Sequence, residues 1–432
     1  MSGLPTQMVS FDEARRIVFD AARPLTAETL ALAEALGRVL AEDVVADADL
    51  VPYARSAMDG YAVRAADAAR ATSANKVRLP IAGKVLAEAG EATLAAGTTL
   101  AITTGAPIPH GADAVIPHEQ VECAGDAILV SAAVLSGDSI FPPAEDVRRG
   151  DLLIRAGDVL HPAAQALLAF VGRTTLRVHR RPCAAIVCTG NELVDVAETP
   201  RHGQIRNSNA FILSALVRAC GADARLCGTA SDDRAALAQL LESARAESDL
   251  LITTGGASTG ERDLVKQILT EFGATLQFRA VSMRPGKPTG FATWDGLPVC
   301  ILPGNPAAVF VGFHELVRPA LLRMAGRRQT ELPCVRATLR APAKSKALHR
   351  YILLARLELG ARGFEVTPLA NQCSVLVRSS AEANALIVLP EGPAQFSAGE
   401  SVEVQVLDWE RVARAAAPEA APIASASASR RN

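Results

Sequence analysis

Between Cys183 and Val317 the chain alternates short apolar runs with helical patterns, and that rhythm leaves few folds open. "CAAIVCTG", "ADARLCG", "DLLITTGG" and "LPVCILPG" read as strands. Between them, "SNAFILSALVRAC", "DDRAALAQLLESARA" and "DLVKQILTEFG" place apolar residues three and four apart, as an amphipathic helix does. Strands separated by helices of roughly 10–15 residues need crossover connections, so the pattern predicts an α/β unit with a parallel sheet.

The flanks follow other rules. With 432 residues the chain is too long for one core, and composition shifts near residues 49, 147, 181 and 330. "SFDEARRIVFDAA" opens with Ser10 and Glu13, a capping-box spacing, and predicts a helix. A second helix is expected over 26–36, stopped by Gly37. "KVRLPIAGKVL", "TTLAITTGAPIP", "ADAVIPHEQVE" and "AILVSAAV" predict a small β domain, and "DLLIRAGDVLHPAAQALLAFVG" returns to a strand and a helix. The β segment therefore reads as an insertion into an α-rich domain. After Gln329 come further β segments, and the Ala/Pro/Ser-rich end, 411–432, is expected to be disordered.

Composition narrows the function classes. Charged residues make up 21% and the formal net charge is −2, so there is no bulk electrostatic case for nucleic acid or an anionic membrane. No apolar run reaches the roughly 18–20 residues of a membrane helix. The start, "MSGLPTQMVSFDEARR", has no apolar h-region, and a cytoplasmic protein with reduced thiols is expected. The eight Cys form no CxxC pair and the seven His no HExxH, so zinc is not expected.

In open α/β sheets ligands lie beyond the carboxyl ends of the strands. Three such ends carry unusual residues: "CTGNEL" with Gly190 and Glu192; "ITTGGASTGERD" with Gly255, Gly256, Ser258, Gly260 and Asp263; and "LPGNP" with Gly304, Asn305 and Pro306. Glycines let backbone approach a phosphate, and a following helix N-terminus offers free N–H groups. Each loop also has a bland reading, since Asn305-Pro306 is a good N-cap and Asp263 an ordinary one. Glu192, Asp232 and Asp263 each follow a predicted strand. If they converge, two like charges 4 Å apart cost about 4 kcal/mol at an effective dielectric of 20. Mg²⁺, an oxygen-seeking cation, would offset that and bridge phosphates. Arg284 and Lys287, in "MRPGKPTGF", form a candidate anion clamp or a solvated basic turn. Asp59 in "SAMDGYA" and Thr104 in "ITTGAPIP" can be read as turn and strand residues.

"SAMDGYAVR", "TTGAPIPHGADAVIPHE", "CTGNELV", "ITTGGASTGERD", "MRPGKP" and "LPGNPAAV", in that order, resemble the molybdopterin molybdenumtransferases, relatives of the C-terminal domain of gephyrin. The resemblance covers about residues 8–408. It implies a helical domain (8–48 and 148–180) with an inserted β domain (49–147), an α/β molybdopterin-binding domain (181–329) and a C-terminal β-barrel-like domain (330–410). It further implies a homodimer that inserts molybdate into adenylylated molybdopterin and releases AMP in an Mg²⁺-dependent step. It also implies contact with the molybdopterin adenylyltransferase and with recipient molybdoenzymes. By that likeness Asp59, Thr104, Glu192, Asp232, Asp263 and Lys287 are catalytic. Gly190, Gly255, Gly256, Ser258, Gly260, Arg284, Gly304, Asn305, Pro306, Arg350 and Ser374 bind substrate, and Asp59 acts on the partner's α/β site.

The chain departs from the family pattern in places. Phe141 stands for an Arg, Ala144 for a Gly and Asn191 for an Asp, and Cys373 and Val375 stand where glycines are expected. A lost charged hydrogen bond costs about 1.5–3 kcal/mol. The alternative is therefore a weakened paralogue that binds or hands on the pterin. Hydrolysis of another dinucleotide is disfavoured by the inserted domain.

Overall fold

The computed structural model describes residues 8–88, 90–231, 233–255, 264–345 and 349–416. The α/β unit is built on strands β1 (Cys183–Thr189), β2 (Asp223–Ala230), β3 (Leu250–Thr254), β4 (Thr275–Phe278), β5 (Gly290–Trp294) and β6 (Leu297–Leu302). Helices α1 (Ser208–Ala219), α2 (Arg234–Ala246), α3 (Leu264–Glu271), α4 (Pro306–Gly312) and α5 (Arg318–Met324) complete it. The sheet order is β2-β1-β3-β6-β5-β4. The first four strands are parallel, as expected. The edge differs: β5 is antiparallel to β6 and β4 to β5, so the sheet is mixed. The cause is local. β5 and β6 are joined only by Asp295-Gly296, both at positive φ (48° and 86°), a two-residue hairpin that leaves no room for a crossover.

Both faces of β1, β3 and β6 are covered, which is why they read as continuous apolar runs, while β2 at the edge is largely exposed. Ala184, Ile186 and Cys188 face α1 through Leu213 and Val217. Ala185 and Val187 face α2 and α3 through Leu237, Leu241, Val265 and Ile268. β1 connects through α1 to β2 on one side, and the chain then crosses through α2 to β3 on the other. The connections thus diverge at the ends of β1 and β3, the topological switch point.

The predicted first helix is present over Phe11–Ala21. Ser10 Oγ accepts from Glu13 N at 3.2 Å, and Phe11, Ala14 and Val18 are buried. The helix expected over 26–36 is not: Ala27–Ala31 is a strand, paired antiparallel with Thr175–His179, and only Leu32–Glu34 makes a 3-10 turn. A partner almost 150 residues away overrides local helix propensity. The inserted segment forms a six-stranded sheet in the order 114–117, 60–63, 99–102, 77–85, 127–130, 121–124. The C-terminal strands 350–360, 363–368, 334–339, 401–406 and 385–389 pair in a closed ring of five. Closure removes sheet edges. Residues 411–416, expected as part of a disordered tail, instead continue the helix Trp409–Ala416, with Val412 buried. Residues 417–432 lie outside the described residues. Among the described residues no helix is long and apolar enough to cross a membrane.

Two features here carry expected outcomes. Ala144 is buried at φ 52°, a left-handed conformation that disfavours a Cβ. Ala144→Gly is expected to raise stability by about 1 kcal/mol, read from the denaturant midpoint. His314 and Glu315 lie buried in a π turn (Phe313–Val317) between α4 and α5. Burial pushes the Glu315 carboxyl up to about 7, offset in part by Arg15, and pulls His314 down to about 3, aided by Arg318. A raised carboxyl pKa means stability is full below the unfolded value near 4.5 and is lost as pH rises through 7. Glu315→Gln is therefore expected to raise the melting temperature relative to wild type at pH 8 and to lose that advantage at pH 5.

Candidate functional site

The carboxyl ends of β1, β3 and β6 are neighbours in the sheet, so the three loops singled out in the sequence meet there. The approach is close enough to require glycine. A Cβ on Gly255, at φ 92°, would stand 1.9 Å from the Thr189 carbonyl oxygen. One on Gly304 would touch the Gly255 Cα at 3.5 Å. Gly190, at φ 152°, lies under the Glu192 carboxylate, whose oxygens would be 2.7 and 2.8 Å from an added Cβ. Glu192 is exposed at the mouth of β1.

A polar frame holds these ends together. Thr254 Oγ1 donates to the Pro303 carbonyl at 2.9 Å. Asn209 Nδ2 donates to Thr254 Oγ1 at 3.2 Å and to the Gly304 carbonyl at 2.7 Å, so one amide ties α1 to β3 and β6. Asn207 caps α1 through Ala210 N and donates to Thr229 Oγ1 at 2.9 Å on β2. Among the described residues, Asn209 Oδ1 and Thr189 Oγ1 are buried with no hydrogen-bond partner. Buried polar atoms are nearly always paired, so these two are open positions for a polar ligand. The Asn-Ser-Asn run at 207–209 was the signal for this frame, and sequence reading passed over it as a helix start.

Asn305 occupies the N-cap position of α4 with Pro306 at the first turn, but its side chain does not cap. Asn305 Nδ2 donates to Ser374 Oγ at 3.2 Å, and Ala307 N to the Ser374 carbonyl at 3.0 Å. Ser374, 69 residues away in sequence, thus joins Gly304, Asn305 and Pro306.

β5 runs against β6 with Gly290 opposite Ile301, so the segment entering β5 lies at the same end of the sheet. That segment carries Arg284 and Lys287. Val281 N donates to the Lys287 carbonyl at 2.9 Å and Thr289 N to the Gly286 carbonyl at 3.0 Å, which fixes the turn. His349 joins them: burial, then the Lys287 and Arg284 charges, hold its imidazole below the ordinary value. Arg350 is placed differently from Arg284 and Lys287. Its guanidinium makes a bidentate pair with Asp12 at 3.1 and 3.0 Å and stacks 4.8 Å from the Phe11 ring centroid.

Asp59 and Thr104 meet in the inserted sheet, where Thr104 N donates to Asp59 Oδ1 at 2.8 Å. Asp232, Gly256, Ser258, Gly260 and Asp263 lie outside the described residues, so two of the three expected metal carboxylates are not placed. Among the described residues no group of three or more His, Cys, Asp or Glu is set to hold a metal.

Of the departures, Phe141 lies opposite Arg55 in a short antiparallel pair, with the guanidinium 5.2 Å from its ring centroid. Asn191 is exposed at the β1 turn. Cys373 and Val375 are not among the residues at positive φ, so their backbone does not demand glycine.

A two-sided α/β sheet with a glycine-lined cradle at its switch point, flanked by an inserted β domain and a barrel, defines a three-part class of protein. Residues 9–172 match the MoeA N-terminal region (domains I and II), 185–323 a probable molybdopterin binding domain, and 336–407 the MoeA C-terminal region (domain IV). The chain is 33% identical over 394 residues to the molybdopterin molybdenumtransferase of Staphylococcus aureus, covering 91% of this chain and 94% of that one. The molybdopterin biosynthesis MoeA protein of Pyrococcus horikoshii has a similar structure, with a TM-score of 0.81 and 30% identity over 93% of this chain and 100% of that one. The chain belongs to the molybdopterin molybdenumtransferase (MoeA) family of molybdenum cofactor biosynthesis.

The Asp59 contact is directly testable. The backbone and then the side chain of Thr104 hold the Asp59 carboxyl below the usual Asp range. Thr104→Ala keeps the N–H and removes the hydroxyl. Carbon-detected NMR titration is expected to show the Asp59 pKa below 3.8 in wild type and raised, yet still below 3.8, in the variant.

Proposed function

We propose that the chain binds adenylylated molybdopterin at the carboxyl ends of β1, β3 and β6, inserts molybdate, and releases AMP. The observation that carries this is the cradle itself: three backbones in contact through Gly255 and Gly304, with Thr189 Oγ1 and Asn209 Oδ1 beside them and without partners among the described residues. The Gly304 backbone N–H suits a phosphate oxygen, and Lys287 and Arg284 supply positive charge beside it, with His349 held toward its neutral form by burial and by the same two charges. The asparagine frame pre-orients the cradle, so binding need not order it.

Mg²⁺ fits the donor chemistry. Glu192 offers an exposed hard carboxylate at the β1 mouth, and Asp232 and Asp263 would complete an all-oxygen set. When bound there, the ion would polarise the phosphoanhydride that is cleaved. Glu192 would hold it against the phosphates, while Lys287 would offset the charge on the departing AMP. In a homodimer, Asp59 with Thr104 would act on the partner's cradle. Contact with the adenylyltransferase that supplies the substrate, and with recipient molybdoenzymes, belongs to the same reading.

A second reading rests on Phe141 and Arg350. An aromatic ring where the family has Arg, and a guanidinium already paired with Asp12, fit a chain that binds the pterin and passes it on without turnover. AMP release from adenylylated molybdopterin separates the two. Release that needs both Mg²⁺ and molybdate, and falls about 10- to 150-fold in Glu192→Gln, is the expected result. Tight pterin binding with no AMP release would establish the second reading and overturn the first.

A further inference from the structure

A second polar cavity lies well outside the cradle, where α5, the segment after it and the loop at 157–159 meet. It has a volume of about 490 Å³, and Arg318, Arg327 and Arg328 line it together with Asp158 and Glu331. The two carboxylates are already used. Asp158 accepts from Arg328 Nη1 at 3.2 Å, and Glu331 pairs with Arg15. Arg318 and Arg327 form no ion pair among the described residues. Arg318 Nη1 donates to the Thr330 carbonyl at 2.7 Å, and Arg327 Nε is buried with no hydrogen-bond partner among the described residues.

The neighbours do not neutralise this pair. Burial and the Arg327 charge hold the Arg318 guanidinium below its ordinary value, offset in part by Cys220 and Glu315. Cys220 is pushed up to about 11 by burial and is a neutral thiol at pH 7. Glu315 is pushed up to about 7 and is only partly ionised there. Two half-buried, like-charged forks facing one cavity repel, and a guanidinium cannot shed its proton to relieve the repulsion. The Thr330 carbonyl holds Arg318, and the backbone around the cavity is tightly packed. A Cβ on Gly157 would strike the Arg328 side chain at 2.3 Å, and one on Gly326 the His179 ring at 2.1 Å. Planar guanidinium forks match the geometry of a tetrahedral oxyanion, and Arg327 Nε has a donor to give it.

We infer that the cavity between Arg318 and Arg327 is an anion site for a phosphate group, separate from the cradle at the strand ends. The ligand is either free inorganic phosphate or the terminal phosphate of a monoester, and the volume admits both. The site joins three parts of the chain. Arg318 belongs to α5, Arg327 and Arg328 to the segment leading into the barrel, and Gly157 and Asp158 to the loop before the helix Pro162–Phe170. An occupant would therefore tie the barrel and the N-terminal segment to the α/β unit.

Isothermal titration of the full chain with inorganic phosphate tests this. Arg327→Gln is expected to weaken binding by at least about tenfold, Arg327→Lys to retain part of it, and Arg328→Gln to change it less. Unfolding midpoints measured without phosphate check that the variants fold. Lys287→Ala, in the cradle, should leave the Arg327-dependent binding in place. Titration with AMP identifies the source: tighter Arg327-dependent binding than phosphate means a monoester, and equal or weaker binding means the free ion. No phosphate binding, or binding that survives Arg327→Gln and disappears in Lys287→Ala, would overturn the inference.

Discussion

The ends of β1, β3 and β6 approach so closely that Gly255 has no room for a methyl group, and the site depends on that approach. A parallel sheet buried on both faces sets the strand spacing, and alternate residues of β1 are committed to opposite cores. Once the strands are locked, their loops have one side left to occupy. The Asn209 amide then ties the β3 and β6 ends to α1 and so to the core beneath them. Residues placed on such a scaffold hold their geometry better than residues on free loops.

The first helix and the barrel share an apolar core with the α/β unit through Phe11, Val18, Ile352 and Leu354, and polar contacts mark the seams. The barrel is attached where Met283–Arg284 pairs with Arg350–Tyr351, immediately before the turn that carries Lys287. Arg350 then grips Asp12 on the first helix, and Phe11 beneath it is buried. Ser374 from the segment after the barrel's third strand lies on Asn305. Each joint touches a residue of the cradle or its basic edge, so the domain arrangement and the site are coupled by the same few side chains.

The departures from the family pattern fall into different physical classes. Ala144 occupies a left-handed backbone position and carries a strain that glycine would not. Cys373 and Val375 stand on backbone that any residue adopts. Phe141 exchanges a charge for a ring, but Arg55 from the facing strand brings a guanidinium back to the same surface. Of these four, one costs stability, two cost nothing in the backbone and one relocates a charge; the fifth, Asn191, is exposed at the β1 turn.

By itself the sequence determined the α/β rhythm, the three glycine-bearing strand ends, the inserted sheet and the C-terminal strands, because period and turn chemistry are local properties. The Asp295-Gly296 dipeptide is a hairpin signal that sequence reading passed over, and the mixed sheet it produces was not foreseen. Only tertiary structure decided the rest. Ala27–Ala31 is a strand because Thr175–His179 lies beside it, and no local pattern contains that partner. Asn209 became the tie of the site, Arg350 the partner of Asp12, and Arg318 and Arg327 neighbours that form no ion pair among the described residues. Each of these depends on groups that are distant in sequence and close in space, and side-chain charge acquires its meaning from what the fold places opposite it.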